Sequence, residues 1–252
     1  MQGWFVRRLA FAGLFLFSVH ASAIAMEGIQ GAYLKGYRDF MTGVLPDQGV
    51  HWRQDTYIYS GTEHSIVPQG QLTVNYKGVT NVLGATVVTS TKLLGGDYGF
   101  SVRGAYSDVR ADQTVVPRRP LPTVTRSGSL DAFNDVVVTP VILGWHSGNL
   151  HWNVSGSVWL PVGAYDKTRL ANTGRNTWAF SPQLGVTYFD PKSGWELSGA
   201  AIYVTSTKNN ATDYKSGDLV HVDFATGKMV SQHVKLGVVG YYAQQKIGRA
   251  HV

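Results

Sequence analysis

The chain contains no cysteine. That excludes a disulfide framework and thiolate metal sites. Charged residues make up only 15% of its 252 positions, against about 25% in ordinary soluble domains. The formal net charge is +6, but Lys and Arg are scattered, apart from Arg118-Arg119. No basic patch is built to track nucleic acid, so nucleic-acid binding is not expected. Beyond the first segment, no run approaches the ~18 apolar residues that a membrane helix needs. Membrane association of the rest of the chain therefore has to use strands.

What is present begins with an address. Arg7 and Arg8 form a positive region, and an apolar stretch with Phe11, Leu14, Phe15, Leu16 and Phe17 follows. Two small-x-small sites come next, Ala21-Ser22-Ala23 and Ala23-Ile24-Ala25. This pattern reads as a secretory signal peptide over residues 1–25, cleaved between Ala25 and Met26, with Ala23 as the second site. The expected destination is the outer membrane of a diderm bacterium.

A second segment, residues 26–49, has helical rather than strand spacing. Tyr33, Tyr37, Phe40 and Met41 recur at helical intervals with Lys35, Arg38 and Asp39 between them, and Gly43 and Pro46 end the pattern. The spacing predicts a short amphipathic helix over 33–41. Its residues Tyr33, Tyr37, Arg38 and Phe40 are candidates for a plug inside a barrel.

From Val50 onward the period becomes two. In Leu150–Leu160, residues Leu150, Trp152, Val154, Val158 and Leu160 take one face, and His151, Asn153, Ser155 and Ser157 take the other. Eleven residues with one apolar and one mostly polar face suit a tilted membrane-spanning strand. Segments 98–107, 195–204 and 234–243 alternate in the same way. Weaker strand patterns lie at 53–60, 71–77, 79–91, 135–146, 177–189 and 218–225. Ser147-Gly148-Asn149 and the stretch 190–193 read as tight turns, and 111–130 and 172–176 as longer loops. Aromatics near strand ends, among them Trp52, Tyr57, Tyr59, Trp145, Trp159, Trp178, Tyr188, Trp195, Tyr241 and Tyr242, are expected to form interfacial girdles.

These observations predict an all-β, antiparallel up-and-down transmembrane barrel over residues 50–246. About 10 strands are present, of about 12 when complete. Residues 247–252 lack a strand pattern and read as a non-native tail, as from a sequencing adapter, with the last strands missing. A soluble periplasmic β-sandwich that binds ligands shares the periodicity and stays open as an alternative.

A search for chemistry finds little. No G-x-S-x-G elbow, H-E-x-x-H pair or phosphate loop before a helix is present. His146, Ser147 and His151 sit around one turn and are the candidates for a barrel-embedded lipid hydrolase. His146 and Ser147 are sequence neighbours, however, and point apart in extended chain. His221 and Asp223 share a face with a polar cluster, but no ligand count or geometry defines a metal site. Neither a metal nor a cofactor is expected. Arg103, His151, Asn153, Glu196, His221 and Asp223 are the candidates for lining a lumen.

Several stretches together carry a resemblance. Glu27-Gly28, Tyr33, Gly36, Tyr37, Arg38-Asp39-Phe40, Gly43, Pro46 and Gly49 come first. Leu160-Pro161-Val162-Gly163-Ala164-Tyr165 follows, then Asn172, Gly174, Asn176, Trp178, Pro182, Gly185 and Thr187-Tyr188-Phe189. Asn209, Thr212, Tyr214, Ser216-Gly217-Asp218, His221, Gly237, Gly240-Tyr241-Tyr242 and Gln244-Gln245 complete the series. In this order and spacing the chain resembles the outer-membrane proteins named for the MetA pathway of phenol degradation. The family's acidic turn after the Gln pair is absent. The resemblance implies an outer-membrane barrel that passively admits small hydrophobic or aromatic compounds. Its partners would be outer-membrane lipid, those solutes and the barrel-assembly machinery.

Overall fold

The computed structural model describes residues 37–67, 69–245 and 249–250. The signal segment with its expected cleavage at Ala25 and Met26, and Tyr33 of the expected helix, lie outside the described residues. The strands are β1 (Gly49–Val67), β2 (Gly70–Leu93), β3 (Gly96–Pro117), β4 (Val124–Phe133), β5 (Val136–Ser147), β6 (Leu150–Leu160), β7 (Ala179–Phe189), β8 (Trp195–Ser206), β9 (Tyr214–Lys215), β10 (Leu219–Met229), β11 (Lys235–Gln245) and β12 (Arg249–Ala250).

Ten strands build one antiparallel sheet in the order β1-β2-β3-β5-β6-β7-β8-β10-β11, with β4 pairing with β3. The sheet is a half-barrel, and the sandwich alternative falls with it. β9 and β12 form a separate two-residue ladder. Arg249–Ala250 thus pairs where the sequence shows no strand pattern, because a two-residue bridge needs no periodicity.

Every connection follows from the up-and-down order. Along one rim the turns are short. Leu94 and Gly95 both take positive φ, 51° and 76°, the geometry that lets a two-residue turn match strand twist. Gly148, at φ 58°, turns β5 into β6 on the same rim. Asp190 anchors the next turn there, accepting from Lys192 N and Ser193 Oγ. These bonds hold its carboxyl below the usual carboxylate range. Along the other rim, residues 161–178 and 207–218 form long connections.

Three differences from the sequence reading have physical causes. Segments 71–77 and 79–91 are one strand, because Gly78 makes room rather than a turn: a Cβ there would lie 2.7 Å from Tyr59 Oη. Segment 111–130 is largely strand, since β3 runs on to Pro117 and pairs with β4 from Tyr106 to Val115. The long ends of β1–β4 form a ribbon with polar residues interspersed on both faces, so period-two contrast weakens. Finally, β5 alternates weakly because its register shifts between Val138 and Val141, at Pro140. A bulge moves the inward set from odd to even positions: Thr139 bonds Ser157 on the inner face, whereas Ile142 packs there against Leu45.

The two faces of the sheet invert the pattern of a water-soluble protein. On β7, Ser181 and Thr187 are 1% and 0% exposed, whereas Leu184 and Tyr188 are 45% and 47% exposed. On β8 and β10 the inner face holds Glu196, Ser198, His221 and Asp223, all buried. The outer face carries Leu197, Tyr203, Val222 and Phe224, all exposed. Val154, Leu184, Ala201, Val222 and Tyr242 stand side by side in register across five strands and all face outward. Burying the polar face and exposing a continuous apolar one is unfavourable in water and favourable in lipid.

Candidate functional site: an inner strap and the cavity beside it

Residues 37–46 run along the inner face as a strap. The described part is not helical: residues 37–39 are irregular, 40–43 form a turn, and Met41 has φ 58°. The backbone donors that a helix would satisfy internally go instead to side chains of the sheet. Arg38 N donates to Asp223 Oδ2 at 3.1 Å, Met41 N to Glu196 Oε1 at 2.6 Å, and Gly43 N to Thr187 Oγ1 at 2.9 Å. Asn153 Nδ2 donates to Thr42 O at 2.8 Å. The Arg38 guanidinium donates to Gln183 Oε1 at 2.7 Å.

Glycines give the strap its seat. A Cβ on Gly43 would lie 2.3 Å from Thr187 N, and one on Gly237 would lie 2.6 Å from the Phe40 ring. One on Gly144 would lie 2.5 Å from Leu45 Cβ. The same contacts show how far the sheet curls. Tyr37 lies 6.2 Å, ring to ring, from Tyr57 on β1, while its neighbour Arg38 is bonded to β10. Seven strand spacings separate β1 from β10 in the sheet. In a flat sheet they would stand about 34 Å apart; here two adjacent residues reach both.

Charge is concentrated under the strap. Glu196, its side chain fully buried, is paired with Lys235 and also accepts from Ser198 Oγ at 2.7 Å. The Lys235 ammonium lies 5.1 Å from the centre of the Phe40 ring. His221 Nε2 lies 2.8 Å from Asp223 Oδ1, both side chains fully buried.

Beside the strap is a cavity of about 150 Å³ lined by Tyr37, Val82, Arg103, Asp135, Val137, Trp159, Thr173, Arg175 and Gln183, among others. One wall is the break between β4 and β5, where Asp135 is buried. Asp135 Oδ1 accepts from Gly163 N at 2.9 Å, and Oδ2 from Arg175 N at 3.1 Å. The Arg175 Nε lies 3.5 Å from the same Oδ2. Burial lowers the Arg175 pKa and Asp135 opposes that shift; an arginine at such a site stays charged. These bonds fold the long connection 161–178 inward, and Gly163 and Gly174 meet backbone to backbone. Arg103 and Arg53 place their guanidiniums 5.3 and 4.8 Å from the Tyr37 ring centre.

The candidates singled out from sequence divide as follows. Asn153, Glu196 and Asp223 meet the strap residues Arg38, Met41 and Thr42, and His221 meets Asp223. Arg103 lies against Tyr37 at the cavity. His151 stands apart at the short-turn rim, where its Nδ1 is 2.6 Å from His146 Nδ1. Ser147 is opposite Leu150 in the register, so the strand turns it to the other face from the His pair. Among the described residues, His146, Ser147 and His151 do not assemble the hydrogen-bonded nucleophile and base that acyl transfer needs.

Part of the expected girdle is also corrected. Tyr57, Tyr59 and Trp159 face inward because the strap and the infolded connection give them partners. Tyr59 stacks on Tyr76 near Ala171, and Trp159 is 7% exposed in the largest core cluster. Trp145 and Trp152 do stack on the outer face at the short-turn rim, 6.2 Å apart. Sequence reasoning missed Asp135, Arg175, Gln183 and Lys235. Asp135 alone left a trace, as a carboxylate at the start of a segment whose alternation fails.

A ten-stranded up-and-down antiparallel sheet, apolar outside, largely polar inside and curled as a half-barrel around the strap, has the outer-membrane channel fold. The fold is similar to that of the outer membrane channel from Pseudomonas putida F1, with a TM-score of 0.59 and 13% sequence identity over 81% of this chain and 76% of that chain. The chain belongs to the family described as "Putative MetA-pathway of phenol degradation", whose pattern it matches over residues 31–251. No curated protein matches it.

Proposed function

We propose that the protein is a passive channel of the bacterial outer membrane for small hydrophobic or aromatic solutes, with residues 37–46 as an internal plug. The observation that carries this reading is the inverted sheet: Thr187, Glu196 and Asp223 are buried against the strap, while Leu184, Leu197 and Val222 are exposed. Lipid is the solvent that favours such an exterior.

Arg103, His151, Asn153, Glu196, His221 and Asp223 would line the lumen around the plug. The short-turn rim would face the periplasm and the long connections the outside. The membrane lipid and the barrel-assembly machinery are the partners this reading requires. The fold of the Pseudomonas putida channel and the phenol-degradation description of the family support it. Deleting residues 27–46 should raise single-channel conductance in planar bilayers. Unchanged conductance would remove the plug, and an intact protein that conducts nothing would remove the channel.

A further inference from the structure

We propose that the cavity beside the strap is a binding site for a small aromatic carboxylate, held by Arg175 and Arg103 at its acid group and by Tyr37 and Trp159 at its ring. The proposal rests on the channel reading and names the solute class that the channel's inner site selects.

Size comes first. The cavity is about 150 Å³, and an apolar protein cavity of about that volume takes a benzene-sized ring. Tyr37 and Trp159 contribute aromatic surface to its wall, and Val82 and Val137 contribute apolar surface.

Charge comes second. Two arginines, Arg103 and Arg175, line the cavity together with the carboxylate of Asp135. Both Asp135 oxygens are already engaged, Oδ1 by Gly163 N and Oδ2 by Arg175 N and Nε. The Arg175 Nη2 is buried and has no hydrogen-bond partner among the described residues. A guanidinium presents five N–H donors in a planar fork, and a buried donor without an acceptor is costly. A ligand carboxylate against that wall supplies a compensating charge to the arginines that line it. A neutral alcohol on the same ring supplies no charge and is held by the ring contacts alone.

The test is equilibrium binding of benzoate, benzyl alcohol and acetate to the folded full-length protein in detergent. Benzoate should bind about tenfold or more tightly than either other probe, because only it satisfies both walls. In the variant carrying Arg103→Gln, Arg175→Gln and Asp135→Asn, which removes all three charges together, benzoate should fall to the level of benzyl alcohol, and benzyl alcohol should be unchanged. If that variant does not fold, Arg103→Gln must weaken benzoate and spare benzyl alcohol. Equal binding of benzoate and benzyl alcohol by the intact protein overturns the site, as does a benzoate preference that survives the folded charge-free variant. Conductance of the same preparation separates the two readings. Selective benzoate binding without conductance supports the site and removes the channel, whereas conductance without selective binding does the reverse.

Discussion

The backbone N–H of Arg38 donates to the carboxylate of Asp223, 185 residues further along the chain. That bond ties the strap to the far side of the curled sheet, and the same carboxylate faces His221. Asp223→Ala removes the acceptor of the Arg38 N–H and the buried carboxylate beside His221. A buried donor left unpaired costs about 1–3 kcal/mol, so the variant should lose roughly 2–4 kcal/mol of stability. Urea unfolding of the reconstituted protein, followed by gel mobility, checks this; a loss below 0.5 kcal/mol, about the scatter of neutral surface changes, contradicts it.

Glu196 and Lys235 form the second anchor under the strap. Lys235→Met leaves the fully buried carboxylate without its counter-charge and should cost about 3–5 kcal/mol. Adding Glu196→Gln should restore most of that loss. A double-mutant cycle with no coupling between the two positions counts against the pair.

Gly43 is seated so closely that a side chain there meets Thr187 and Val186 backbone atoms below 2.6 Å. Gly43→Val should push the strap off the inner face while leaving the strands paired. The expected result is higher single-channel conductance with an unchanged heat-dependent gel shift. Normal conductance in this variant means that the strap does not restrict flow.

Leu184 sits at the middle of β7 on the outer face, 45% exposed. In water, Leu184→Arg would be close to neutral. Facing lipid at mid-depth it should cost about 2–4 kcal/mol. Folding titrations into lipid vesicles decide between the two.

How much of this was legible depended on whether a residue's partner was near in sequence. Leu150–Leu160 declared its faces outright, because side-chain period and strand geometry are the same fact. The ribbon of β1–β4 was hidden because polar residues occupy both of its faces and neither contrasts with the other. Pro140 concealed β5 by shifting its parity midway. The strap read as a helix because Tyr37, Phe40 and Met41 have helical spacing; what unwinds it is Asp223, Glu196 and Thr187, far away in sequence. Arg175 and Asp135 are 40 residues apart, and no local pattern marks them as partners. Tyr57 and Trp159 looked like girdle residues because sequence gives an aromatic's position along a strand but not whether something waits inside to cover it.

A sheet with this lipid-facing exterior is expected to sit in the membrane as a barrel. Fractionating cells that express the natural gene and running the outer-membrane fraction on a gel with and without boiling tests it most directly. The protein is expected in the outer-membrane fraction, with a mobility that changes on boiling as the barrel unfolds. A periplasmic protein that is soluble without detergent and migrates identically in both lanes would contradict it.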